Sequence, residues 1–139
     1  MNNTNNEFSS SEPKTENRFM VNFGAPFNIP AFAVYKTTMP IYIKSNKGAK
    51  WADMEFLLRD MIEPSVSFAL MDGIRKLRKL DSDTIIITIS ILGPIGDQVE
   101  KWEVTGQIKS IDFGELDFNS DELLTITVRV NVHYAILQF

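Results

Sequence analysis

Apolar side chains recur at every second position over much of the chain, and at helical spacing over one stretch. The longest alternation lies at the C-terminal end. From Leu124 to Ile136 the even positions are Leu, Ile, Val, Val, Val, Tyr and Ile, while the odd ones from Thr125 to His133 are Thr, Thr, Arg, Asn and His. A period of two over so many residues predicts a long strand with one apolar and one wet face. TIIITISIL (84–92) repeats the pattern, with Ile85, Ile87, Ile89 and Ile91 on one side. VEKWEVTGQIKSI (99–111) turns Trp102, Val104 and Ile108 inward and Glu103, Thr105, Gln107 and Lys109 outward. Gly106 falls among the inward positions, which marks a bulge or a close backbone approach.

The first half is more broken. RFMVNF (18–23) alternates with Phe19, Val21 and Phe23 in phase, and GAPFNIP after it is turn chemistry. AFAVYKTTMPIYI (31–43) is strand material interrupted at Pro40, and SNKGAK (45–50) predicts a flexible basic loop. WADMEFLLRD (51–60) resumes a strand through Met54, Phe56 and Leu58. A helix is predicted over 64–79: Pro64 suits a first turn, and Val66, Ala69/Leu70, Ile74 and Leu77 recur at helical spacing. GPIGD (93–97) is a turn, GELDF (114–118) a short piece, and NSDE (119–122) turns the chain into the last strand. The order β–β–β–α–β–β–β predicts a mostly β (α+β) fold, an antiparallel sheet system with one packed amphipathic helix.

Composition narrows what such a fold can do. At 139 residues the chain fits a single domain, taken as 18–139. The polar residues 1–17, with Phe8 as their one large apolar side chain, predict a disordered arm. A net charge of −4 argues against a domain that grips phosphates, and the absence of cysteine excludes disulfides and thiolate metal sites. No apolar run reaches the roughly 20 residues of a membrane helix, and the start lacks the features of a secretory signal.

Candidate chemistry changes little. Arg75, Lys76, Arg78 and Lys79 crowd the last turn of the predicted helix, where cations complement the helix dipole. His133 is the lone histidine, and neither a nucleophile elbow nor a zinc, phosphate-loop or calcium-loop pattern is present. Asp112, Glu115, Asp117, Asp121 and Glu122 cluster about the final turn with no calcium spacing. No catalytic residue, metal site or cofactor is predicted. A monomeric β-sandwich binding module would need exposed aromatics, but Trp51 and Trp102 fall in strand patterns that imply packing.

The order of elements resembles the tail tube proteins of contractile-tailed bacteriophages. The matching pieces are NRFMVNF (17–23), KTTMPIYI (36–43), WADMEFLLRD before the helix, KWEVTGQIKSI (101–111), GEL (114–116), DFNSDE (117–122) and LLTITVRVNVHYAILQF (123–139). The resemblance implies a β-sandwich or small barrel with a flanking helix. It implies a structural, non-enzymatic subunit of the virion, assembled in the host cytoplasm and joined edge to edge into hexameric rings that stack into a tube. Sheath and baseplate proteins are the implied partners. DNA would pass through the channel without sequence-specific binding, and no membrane binding is expected. On this reading Glu103, Thr105, Gln107, Lys109, Thr125, Thr127, Arg129, Asn131 and His133 line the channel. Lys44, Lys47 and Lys50, with Arg75, Lys76, Arg78 and Lys79, are candidates for contacts between rings. The same pattern suits the inner tube of a secretion or extracellular injection machine, and a tube initiator or cap.

Overall fold

The computed structural model describes residues 12–139; the first eleven positions of the expected arm lie outside the described residues. The strands are β1 (Phe19–Phe23), β2 (Val34–Thr37), β3 (Tyr42–Ser45), β4 (Gly48–Trp51), β5 (Met54–Arg59), β6 (Thr84–Leu92), β7 (Gln98–Asp112) and β8 (Thr125–Leu137). One helix, α1 (Val66–Lys79), separates β5 from β6. Six strands form a single antiparallel sheet in the order β1–β6–β7–β8–β5–β2, and β3 and β4 pair as a separate hairpin. The architecture is β-dominated α+β: a sheet curled almost into a barrel, with one helix.

The period-two pattern explains why the sheet curls. Ile85, Ile87, Ile89 and Ile91 of β6, Val104 of β7, and Ile126, Val128, Val130 and Val132 of β8 are all buried on its concave side. Met54, Phe56 and Leu58 of β5 and Val21 and Phe23 of β1 meet them there. A side chain of this size contributes about 1.5–3 kcal/mol when fully buried, so any strand rotated out of phase would forfeit several such terms. The rings of Phe23 and Phe56 meet edge to face at 5.5 Å at the centre of this core.

Helix α1 closes the core through Val66, Leu70, Gly73 and Leu77. Gly73 is required by packing: a Cβ there would lie 2.1 Å from Cδ1 of Phe27. Pro64 does not open the helix as expected. Ser65 is the N-cap, its hydroxyl accepting from the Phe68 N–H at 3.2 Å. The stronger anchor is Asp60, whose carboxylate accepts from the N–H groups of Met61, Val66 and Ser67 and from the Ser67 hydroxyl. Burial pushes Asp60 up, but the hydrogen bonds from Ser67, Met61 and Val66 together outweigh it and hold the carboxyl below its ordinary value.

One expectation about the first half holds and another is corrected. The stretch 31–43 splits into a 3-10 turn (Ala31–Ala33), β2 and β3, with the break around Pro40. The supposed flexible loop 45–50 is the reversal of the β3–β4 hairpin, in which Ser45 pairs with Gly48 and Gly48 adopts a φ of 111°. GELDF forms no strand; residues 113–124 are a loop between β7 and β8.

Candidate functional site

β7 and β8 make a two-stranded ribbon that crosses the whole sheet, and its convex side carries most of the expected channel positions. Cross-strand pairing places Asn131 opposite Gln107, Arg129 opposite Ser110, and Thr127 opposite Asp112. On the other flank of β8, Arg129 faces Glu55, Thr127 faces Leu57 and Thr125 faces Arg59. The charges are largely paired with each other. Arg129 donates to Glu55 at 2.7 Å and Lys109 to Asp53 at 3.1 Å. Gln107 donates to Asp83 at 2.5 Å. Tyr35 bonds Thr125 at 3.3 Å and carries the Arg59 guanidinium 4.7 Å over its ring. Such a surface is wet and nearly neutral, with few free cations to hold a polyanion.

The ribbon is interrupted by two irregularities, of which the sequence marks one through Gly106. Between Ile108 and Ser110 the register slips, so Lys109 is an extra residue in β7. Between Val132 and Tyr134 the slip is on β8, with Gly106 opposite Val132 and Thr105 opposite Tyr134, which leaves His133 as the inserted residue. An inserted residue inverts the alternation beyond it. Ala135 and Leu137 therefore stand opposite Val104 and Trp102 on the concave side. Tyr134 and Ile136, expected with the apolar core set, stand opposite Thr105 and Glu103 on the wet side, each about half exposed.

This corrects one channel candidate. Thr105 is buried, lying between its cross-strand neighbours Ile86 and Tyr134. Glu103 is half-buried between Thr88 and Ile136. The convex face thus has two halves: a polar half around Gln107, Thr127, Arg129 and Asn131, and an apolar half around Ile86, Tyr134 and Ile136. Gly106 sits where they meet, and a Cβ on it would lie 2.5 Å from the carbonyl oxygen of Asn131. It was the only sign of the bulge in the sequence.

The candidate stacking residues occupy two separate places. Lys44 and Lys50 lie on opposite faces of the β3–β4 hairpin, since Lys44 pairs with Ala49 and Lys50 with Ile43, and Lys47 is at the reversal. All three lysines are exposed. Trp51 holds the hairpin to the body, meeting Tyr42 at 5.4 Å and Trp102 at 6.5 Å, both edge to face. Arg75, Lys76, Arg78 and Lys79 are exposed along the end of α1, and Lys76 is paired with Asp72 at 2.9 Å. Hydrogen bonding to Lys76 holds the Asp72 carboxyl below its ordinary value.

The two edges of the sheet, β1 and β2, face each other across a groove of about 1220 Å³ lined by Phe19, Met20, Phe32 and Tyr35 among others. Residues 14–17 run along this groove, and Lys14 forms an ion pair with Glu100. That hydrogen bond from Lys14 is the main reason the Glu100 carboxyl lies below its ordinary value. Among the described residues no group of His, Asp and Glu is arranged to hold a metal ion, and no helix is long and apolar enough to cross a membrane.

No protein-family model and no curated protein sequence matches the chain. Solved structures do. A chain of the extended sheath–tube complex of PVC, an extracellular contractile injection system, superposes with a TM-score of 0.68 at 17% identity over 96% of both chains. The tube-terminating cap of the anti-feeding prophage gives 0.63 at 16% identity, over 92% of both chains. A chain of the six-fold symmetrised baseplate of the anti-feeding prophage gives 0.61 at 14%, covering 91% of this chain and 96% of that one. The fold is shared, over nearly the whole chain, with chains of these contractile assemblies.

Proposed function

We propose that the protein is a structural subunit of the tube of a contractile machine, joined edge to edge into hexameric rings that stack around a central channel. The observation that carries this reading is the β7–β8 ribbon: a continuous wall, core-buried on one side and, over half of the other, wet and charge-paired, in a fold shared with a chain of a sheath–tube complex. The sheet ends in two edges, β1 and β2, whose outer sides carry no further strand among the described residues. Open edges are a hazard in a monomer and a joining device in a ring. Sheath and baseplate proteins are the partners that this role requires.

Gln107, Lys109, Thr125, Thr127, Arg129, Asn131 and His133, with Glu103 at the margin, would face the channel. Arg129 and Lys109 already have carboxylate partners, so a passing polyanion would be conducted rather than held. In a phage tail the cargo is the genome. The solved neighbours are as consistent with a second reading, the inner tube or tube cap of an extracellular injection machine, in which the subunit would belong to an extracellular particle. Neither role calls for catalysis.

Light scattering behind size exclusion, with negative-stain images of the same fractions, tests the proposal. Particles of six subunits, or hollow filaments, are expected. A monomer that persists at high concentration, alone and with sheath and baseplate proteins of its own machine, would refute it.

A further inference from the structure

Two exposed segments of this chain have complementary chemistry and lie at opposite ends of the same ribbon. The hairpin segment 38–52 contains Lys44, Lys47 and Lys50 and no acid. It also exposes Ile41, Tyr42 and Ile43. The β7–β8 loop carries Asp112, Glu115, Asp117, Asp121 and Glu122 over 112–122, with no cation. Leu116 is 88% exposed in it and Phe118 103%.

The loop is internally fixed despite this exposure. Asp112 accepts from the Gly114 N–H, Asp117 from the Asn119 N–H, and the Ser120 hydroxyl from the Glu122 N–H. Its base is tied to the sheet, the Asp60 N–H donating to the Leu124 carbonyl at 3.0 Å. A bonded loop that turns a phenylalanine wholly into water has the form of a surface awaiting a partner.

The placement of the two segments excludes their meeting within one copy. Trp51 carries the hairpin against Trp102, which pairs with Leu137 at the far end of β8. The acidic loop precedes Thr125, at the near end. Met54, three residues after Trp51, pairs with Val130, and Arg59 pairs with Thr125, so eight residues, about 25 Å at roughly 3.3 Å per residue, separate the base of the hairpin from the base of the loop.

We infer that the basic hairpin of one copy docks on the 113–123 loop of a second copy, Leu116 and Phe118 packing against Ile41 and Ile43 while Lys50, on the same face, and Lys47 at the reversal meet the carboxylates. The contact is heterologous, joining unlike surfaces, so it propagates along the ribbon axis instead of closing a two-fold dimer. It names the counter-surface of the stacking lysines and rests on the tube reading only for what the copies are stacked into. The basic end of α1 takes no part in it.

A charge-exchange experiment tests the inference. One variant carries Lys44→Glu, Lys47→Glu and Lys50→Glu; the other carries Glu115→Lys, Asp117→Lys and Asp121→Lys. All six positions are exposed, and circular dichroism of each variant checks its fold. Each variant alone juxtaposes like charges, so its end-to-end association in light scattering should fall about tenfold or more. The equimolar mixture restores both kinds of opposite-charge contact and should recover association, with Phe118→Ser weakening recovery. Two folded variants that fail to associate when mixed, under conditions where the native chain does, would overturn the inference and leave ring formation untouched. Recovery in the mixture without any six-subunit particle would uphold the docking and count against the ring. A native chain showing no end-to-end association at any concentration would overturn the inference as well.

Discussion

Val130 and Asn131 are adjacent in β8 and point in opposite directions, Val130 fully buried and Asn131 exposed beside Gln107. A carboxylate at Val130 would have neither water nor a partner, a penalty of several kcal/mol against a domain stability of roughly 5–15. Val130→Asp should therefore abolish the cooperative thermal transition. Asn131→Asp should melt within a few degrees of the native chain; equal loss in both variants would show that the two faces are wrongly assigned. At Gly106 the neighbouring strand comes too close for any side chain, so Gly106→Val should cost about 1–3 kcal/mol in denaturant unfolding. The faces of β6, of β8 up to Val132, and of β5 were legible residue by residue, because burial on one side imposes a strict period of two. The inversion at His133 was not. The even positions stay apolar through Ile136, so a bulge that moves Tyr134 and Ile136 to the other face leaves no mark on their own strand. The same inversion buries Thr105, which the alternation had put in the channel.

Among elements, α1 depends on a residue outside it. Asp60, at the end of β5, supplies the acceptor for the first turn, and no spacing rule for N-caps reaches six residues back from Val66. Asp60→Ala should lower stability by about 1 kcal/mol, as for loss of other capping acceptors. Because its folded pKa lies below the ordinary value, the contribution is complete above the unfolded pKa and disappears as pH falls through the folded one. The native chain should thus lose stability on acidification through and below about pH 4, and Asp60→Asn should flatten that limb of an acid titration followed by circular dichroism. Of the β3–β4 hairpin, only 45–50 was read as a loop, because the reversal lacks an Asn-Gly pair, while Ile41 to Ile43 were read as strand. Its attachment runs through Tyr42, Trp51 and Trp102. Trp51→Ala should leave the core melt within about 1 kcal/mol, since Trp51 is only partly buried, while amide exchange in 41–51 accelerates.

At the scale of the molecule, the described residues present three features together: two sheet edges with no further strand, a long ribbon with a wet half, and charged segments of opposite sign. Each is costly or idle in isolation, and each has a use when copies of the chain meet. The resemblance read from residues 17–139 led to the architecture that the solved neighbours share. It offered cationic candidates for contacts between rings but no counter-surface, since loops such as 113–124 carry no periodicity from which to read exposure. Attraction between the charged ends would be screened, so tube length at fixed protein concentration should shorten as salt rises from 0.05 to about 1 M, where the Debye length falls to about 3 Å.

The central claim is that the convex face of β7 and β8 lines a channel. A cryo-electron reconstruction of the assembled particle, at a resolution that separates strands, tests it most directly. The account predicts a six-fold ring whose innermost surface is the β7–β8 ribbon, with Gln107, Arg129 and Asn131 toward the axis and α1 outside. A ring with α1 or the β3–β4 hairpin on the lumen, and the ribbon buried between subunits, would contradict it.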